Sequence, residues 1–162
     1  MYCDELINWD PNNRFTINFG NELKFGLDSL STRVDAVIFF SDFIRMDKNY
    51  SEDLSLISKK YESTAVMIKD PLDLTLPDVD REIVIEDPAS GQQLLINPKK
   101  AKRIYERYAF EQEKMVRGLF FKSNIDLLRL TTDKNFVFPL AMFLKERVDS
   151  KGAVVSMWFF YK

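Results

Sequence analysis

Apolar residues in the middle of the chain form two short continuous runs, Ala36–Phe40 and Ala65–Ile68. Each run is too short for a buried helix and is followed by polar residues. Such runs are typical of parallel strands that are buried on both faces of a sheet. Between them, Leu54, Ile57 and Tyr61 recur at helical spacing. The pattern therefore predicts a strand, a helix and a second strand.

The pattern changes after residue 80. Two short apolar stretches, 83–85 and 94–96, flank a turn-forming segment, which predicts a β-hairpin near residues 81–96. Asn97 followed by Pro98 predicts a helix start, and an apolar stripe behind it predicts a helix that continues to about Phe121.

The same periodicities predict strands over 15–19, 125–130 and 153–161 and a helix over 21–31. Asn49 and Glu52 have the spacing of a capping box, which predicts the start of the helix that contains Leu54. A further helix is predicted with Pro139 in its first turn. Because strands and helices alternate, the expected fold is α/β. We expect one domain over residues 1–162, a three-layer sandwich with a mostly parallel, Rossmann-like sheet and a small β-hairpin excursion.

Composition excludes several classes of protein. With 162 residues and a net charge of −2, the chain is long enough for a core and has no basic excess for nucleic acid. It contains no histidine, and Cys3 is its one cysteine, which excludes zinc sites of the Cys/His type and histidine-dependent catalytic triads. A metal would need oxygen ligands, as Mg²⁺ accepts. The amino terminus lacks a signal-peptide pattern, which favours a cytoplasmic protein.

Acidic residues follow three of the predicted strands. Ser41 and Asp42 come directly after the first apolar run, Asp70 follows the second, and Asp133 follows the strand that begins at Ile125. Ligands of open α/β sheets bind beyond the carboxyl ends of the strands, and carboxylates there can bind a hard cation. The competing interpretation is that each aspartate caps a turn or a helix, which is common chemistry for this residue type.

Three segments, in this order and spacing, resemble the carboxy-terminal part of a von Willebrand factor A-like family of unknown function that is often encoded beside MoxR-type AAA+ ATPases. They are Val37–Phe43, Asp70–Pro77 and Ile85–Gly91, and the resemblance covers about residues 20–147. It implies a von Willebrand factor A-like fold and a role in protein-protein interaction, as the partner of a MoxR-type ATPase in protein assembly or maturation.

The resemblance also implies a metal-ion-dependent adhesion site that is incomplete in this chain. Ser41-Asp42 matches the aspartate after the family's fourth strand, and Asn21 stands where a threonine is usual. The family's Asp-x-Ser-x-Ser motif is missing, and Asp53-Leu54-Ser55 does not replace it because it lies inside a predicted helix. Binding residues are therefore expected at Ser41, Asp42, Asn21 and Asp70, with Mg²⁺ bound only weakly, through Asp42.

Two alternatives to the interaction module remain open. The first is a magnesium-dependent hydrolase that brings Asp42, Asp70 and Asp133 together, and the second is a structural remnant without a ligand site. In the family, the strand before the Asp-x-Ser-x-Ser motif lies beside the strand that matches the one ending at Phe40. If that first strand is absent together with its motif, the apolar strand ending at Phe40 has an unpaired edge. We expect residues 153–161, or a second copy of the chain in a homodimer, to cover that edge.

Overall fold

The computed structural model of the protein describes residue 34 and residues 36–86 and 91–151. The strand predicted over 15–19, the helix over 21–31, the last strand over 153–161 and the candidate Asn21 lie outside the described residues. The predicted cover for the edge of the first strand therefore stays a prediction, as does the homodimer. None of the helices in the described part combines the length and the apolar character that crossing a membrane requires.

The described chain alternates strands and helices in the predicted order. The elements are β1 (Ala36–Ser41), α1 (Ser51–Lys60), β2 (Glu62–Lys69), β3 (Ile83–Glu86), β4 (Gln93–Ile96), α2 (Pro98–Lys122), β5 (Asp126–Thr131) and α3 (Val137–Lys151), with 3-10 turns at Lys48–Tyr50 and Pro71–Asp73. The strand, helix and hairpin predictions for residues 36–147 are confirmed, with end points shifted by a few residues.

The strands form one parallel sheet and a separate hairpin. The sheet has the order β1-β2-β5, with Ser41 opposite Met67 and Lys69 opposite Thr131. The hairpin pairs β3 and β4 antiparallel, from Ile83 opposite Ile96. The mixed α/β class and the hairpin excursion are therefore confirmed. Because β2 is the central strand, its carboxyl end lies between those of its two neighbours.

Helices pack on both faces of the sheet. On one face, α1 and α2 bury a continuous apolar cluster with the side chains of β1 and β2, including Leu54, Phe39, Met67 and Phe120. On the other face, α3 packs against a smaller cluster centred on Val66. Apolar burial of this kind is the main stabilising contribution to a fold. The two layers of helix hold the sheet and so fix where its strands end.

Polar side chains cap the start of α2 and the 3-10 turn before α1. Asn97 Oδ1 accepts the N–H of Lys100 at 3.2 Å, which confirms it as the N-cap of α2. The capping box predicted from Asn49 and Glu52 is wrong. Asn49 lies inside the 3-10 turn that precedes α1, and Asp47 caps that turn by accepting the Asn49 N–H at 2.8 Å.

Candidate functional site

Three loops meet beyond the carboxyl ends of the parallel strands. They follow Ser41 of β1, Lys69 of β2 and Thr131 of β5, and comprise residues 42–47, 70–75 and 132–136. We call these loops, together with the last residue of each strand, the carboxyl edge. Parallel strands end at the same side of a sheet, which is where ligands of open α/β proteins bind. The carboxyl edge contains all the described candidates from the sequence.

Ser41 and Asp42 form a compact turn at the end of β1. Asp42 Oδ1 accepts the N–H of Ile44 at 3.1 Å, and Ser41 Oγ accepts the N–H of Phe43 at 3.1 Å. Phe43 has a positive φ of 52°, an unusual backbone conformation for a residue with a bulky side chain. The two side chains thus stabilise a sharp turn, as the capping interpretation expects, and one Asp42 oxygen is committed to it.

Gln112 on α2 holds the same turn from the opposite side. Its Nε2 donates to the carbonyl oxygens of Phe43, Ile44 and Met46 at 3.3, 3.0 and 2.8 Å. The Phe43 ring meets the Phe120 ring edge-on, with the ring centroids 5.0 Å apart. Because α2 is anchored in the core, these contacts fix the position of Asp42 relative to the sheet.

Asp70 begins the loop after β2 and links it to the loop after β5. Its Oδ1 accepts the N–H of Leu72 at 2.9 Å, and its Oδ2 accepts the hydroxyl of Thr132 at 2.8 Å. Asp73 completes a capping box by accepting the N–H of Asp70 at 2.9 Å. The Leu72 N–H and, secondly, the Thr132 hydroxyl lower the pKa of Asp70, since both favour its ionised form. Asp70 therefore joins two loops of the carboxyl edge.

Lys69, the last residue of β2, is a buried cation that the sequence interpretation missed. Only 5% of the residue is exposed. Burial lowers its pKa, and attraction to Asp73, Asp42 and Glu113 opposes that effect without cancelling it, while repulsion from Arg129 adds to it. The carboxyl edge thus has a positive charge at its centre and carboxylates around it.

Glu113 on α2 ties two arginines to this charged group. Its Oε1 lies 3.0 Å from Nε of Arg117 and 3.1 Å from Nε of Arg129, which projects from β5. Arg129 stands opposite Met67 of β2, two pairs before Lys69 and Thr131 and on the same face of the sheet. The arrangement is a charged layer between α2 and the last residues of the sheet. It continues the apolar cluster outward toward the carboxyl edge.

The carboxylates of the carboxyl edge do not form a metal centre. Among the described residues, no three acidic or cysteine side chains converge closely enough to hold a metal ion. Asp42, Asp70 and Asp133 are therefore not brought together as the hydrolase alternative expects. A buried ammonium at Lys69 also opposes a divalent cation by charge repulsion. The oxygen donors in the described part of the chain therefore do not fit magnesium.

Each loop of the carboxyl edge exposes a large apolar side chain. These side chains are Ile44 after β1, Leu72 after β2 and Phe136 after β5, and we call them the apolar rim. Single exposed apolar residues are ordinary on protein surfaces, but a group of them at one site is characteristic of interaction surfaces. The apolar rim belongs to the loops that follow the central strand, which ends at Lys69, and its two neighbours.

The residues that were missed differ in how visible they were in the sequence. Lys69 follows Ala65 and Met67 at a spacing of two, so strand periodicity places it on the same buried face. That signal could have identified a buried lysine. Gln112 and Glu113 lie in the middle of a long amphipathic helix, where glutamine and glutamate are common on solvated faces. Only the three-dimensional contacts distinguish them.

Comparison with known protein families identifies a match. The sequence profile of the DUF58 family, described as a protein of unknown function, matches residues 3–116, which is more than half of the chain. The match includes the loops after β1 and β2, with Asp42, Lys69 and Asp70. No curated protein and no solved structure matches the chain.

Proposed function

This chain belongs to the DUF58 family, a family of unknown function, and we propose that it is a protein-protein interaction module that binds its partner through the carboxyl edge. The partner we propose is a MoxR-type AAA+ ATPase, in the assembly or maturation of other proteins. The choice of partner rests on the von Willebrand factor A-like resemblance in the sequence. The proposal extends to the fold, since a parallel sheet with helices on both faces suits a Rossmann-like A domain.

The observation that carries this proposal is the apolar rim around a charged centre. Ile44, Leu72 and Phe136 are each exposed, one on every loop of the carboxyl edge. Interfaces combine exposed apolar anchors with a few fixed polar groups, and a small number of anchors supplies most of the binding free energy. The three exposed side chains can serve as such anchors, and the charged and polar side chains of the carboxyl edge can serve as the fixed polar groups.

The loops that present the apolar rim are also held in place before any partner binds. Gln112 fixes the loop after β1 through three carbonyls, and Asp70 joins the loops after β2 and β5 through Thr132. Tyr105 on α2 donates its hydroxyl to the carbonyl of Leu72 at 2.7 Å, which adds a further link. Loops that are already ordered lose less entropy on binding, so these contacts favour association.

The test measures binding of the chain to the purified MoxR-type ATPase of the same genome by titration calorimetry. Leu72→Ser removes one side chain of the apolar rim, and we expect it to raise the Kd about tenfold. Leu56→Ser is the matched control, because Leu56 is as exposed as Leu72, at 61% against 58%, and lies on α1 outside the three loops. We expect this control to bind like the unaltered chain.

Two results would overturn the proposal. Failure of the unaltered chain to bind the ATPase would remove the proposed partner and favour the structural remnant. Equal weakening by Leu72→Ser and Leu56→Ser would show that the binding surface is not the carboxyl edge. Circular dichroism of both variants establishes that they are folded, so that a loss of binding reports on the surface.

A further inference from the structure

The centre of the carboxyl edge holds a cation without a direct counter-charge among the described residues. Lys69 is 5% exposed. The ion pairs and side-chain hydrogen bonds found in the described part of the chain join other groups and leave the Lys69 ammonium out. Burying a charge without a partner is costly, so proteins normally pair such a group with an ion or a hydrogen-bond acceptor. The Lys69 ammonium is not among the fully enclosed polar atoms without a partner in the described part of the chain, so the buried side chain still presents its charge to solvent.

Each of the three nearby carboxylates has at least one oxygen bonded to another group. Asp42 accepts the N–H of Ile44, Asp73 accepts the N–H of Asp70, and Glu113 is shared by two arginines. Their attraction reaches Lys69 through space and does not offset its burial, which is why the pKa of Lys69 is lowered. The Lys69 ammonium can therefore still form an ion pair with a further carboxylate.

We propose that Lys69 binds an acidic side chain, Asp or Glu, of the partner protein, and that the apolar rim packs around the apolar stem of that side chain. The identity of the partner rests on the function proposed above, whereas the affinity of Lys69 for a carboxylate does not. At the centre of an interface, a ring of apolar contacts excludes water from such a salt bridge. The salt bridge in turn fixes the orientation of the two proteins.

A carboxylate suits this position better than a phosphate does. Asp42 and Asp73 both act on Lys69, so an incoming group also experiences their negative charges. Because the charge of an incoming anion scales its attraction to Lys69 and its repulsion from these carboxylates alike, charge alone does not favour either anion, and the apolar contacts decide. The stem of an aspartate or glutamate also brings methylene groups to Ile44, Leu72 and Phe136, which inorganic phosphate does not.

The test uses acetate as the probe of the carboxylate. In the full chain labelled with ¹³C-lysine, the Cε resonance of Lys69 is identified by its loss in Lys69→Met. We expect a saturable shift of this resonance with sodium acetate, beyond that with sodium chloride of equal ionic strength. The Lys99 resonance is the internal control, because its exposed ammonium pairs with Asp80 at 3.1 Å. We expect it to respond to both salts alike.

Three outcomes would overturn the assignment. They are a Lys69 resonance that acetate leaves unchanged, one that follows acetate and chloride equally, and one that saturates with inorganic phosphate at lower concentration than with acetate. The last would identify a phosphate site instead of a carboxylate site.

A second measurement separates this inference from the proposed function. We expect Lys69→Met to raise the Kd for the MoxR-type ATPase by at least about tenfold, since one partner of a buried charge pair is lost. A saturable acetate shift without any binding of the ATPase would leave the carboxylate site standing and reject that partner. Tight ATPase binding that Lys69→Met leaves unchanged would reject the role of Lys69 and keep the module.

Discussion

The middle and the end of β2 bury their side chains to a similar degree but in opposite chemical surroundings. Ala65 and Met67 are fully buried among apolar side chains of α1 and α2. Two residues after Met67, on the same face of the strand, Lys69 is almost as buried, yet its neighbours are carboxylates and an arginine. The environment changes from apolar to charged within one step of the strand.

This difference separates burial that stabilises the fold from burial that costs free energy. Apolar side chains in the middle of the sheet gain from leaving water, whereas the ammonium at its end loses hydration. Groups that are kept in such costly surroundings are concentrated at functional sites. The middle of β2 therefore contributes to stability, whereas its carboxyl end carries the binding site proposed above.

The largest expected effect is in the middle of the sheet. Phe120→Ala removes a ring that is 0% exposed, and we expect a loss of about 3–5 kcal/mol in the free energy of unfolding, measured in urea. Phe121→Ala is the control, because the adjacent ring is 85% exposed. If both variants lose the same stability, the apolar cluster does not stabilise the fold as described.

The sequence predicted the elements well because their signals are local. Continuous apolar runs identified β1 and β2, and Asn97-Pro98 identified the start of α2. The ends of elements were less accurate, since a 3-10 turn before α1 displaced the predicted capping box. Where such a turn begins depends on which polar side chain accepts a free backbone N–H, and several polar residues that could do so are adjacent in the sequence.

The candidate site was predicted only in part. Asp42 and Asp70 follow strands, so their position at the carboxyl edge could be read from the sequence, and the structure shows both engaged in turns. The contacts of Gln112 with the loop after β1 join residues 66–69 positions apart. Such contacts depend on how α2 packs, which periodicity does not specify.

The second largest effect is expected at the loop that carries Asp42. Gln112→Ala removes the donor shared by three carbonyls, and we expect a loss of about 1–2 kcal/mol in the free energy of unfolding. The control is Gln93→Ala, because Gln93 Nε2 donates to a single exposed partner, Glu86, at 2.6 Å. A loss at Gln112 no greater than that at Gln93 would mean that α2 does not hold this loop.

Lys69→Met is expected to change stability in the opposite direction. Methionine fills similar space without a charge, so we expect a gain on the order of 1 kcal/mol at neutral pH. Below the lowered pKa of Lys69, folded and unfolded chains both bind the proton, and the unaltered protein carries the full cost of burial. As the pH rises from there toward the ordinary lysine pKa, the unfolded chain binds more protons than the folded chain does. The free energy of unfolding of the unaltered protein therefore increases.

Urea unfolding of both proteins from neutral to alkaline pH measures this difference. We expect the advantage of Lys69→Met to shrink as the pH rises, while Lys99→Met, at an exposed ion pair, shows no comparable convergence. A variant that is less stable than the unaltered protein at neutral pH would mean that Lys69 stabilises the carboxyl edge. The proposed distinction between the two ends of the strand would then be wrong.

The smallest effect is expected at Asp70, which joins two loops at the surface. Because its pKa is lowered in the folded chain, its ionised form stabilises the fold above the ordinary aspartate pKa, and this contribution is lost as the pH falls through the lowered value. In urea unfolding, Asp70→Asn should therefore differ most from the unaltered protein near neutral pH and converge with it in acid. Thr132→Val removes only the second cause, the hydroxyl, so it should reproduce the smaller part of that pH dependence. An Asp70→Asn difference that persists unchanged into acid would mean that the amide fails to make the turn, and that the charge of Asp70 contributes nothing to the link between the loops.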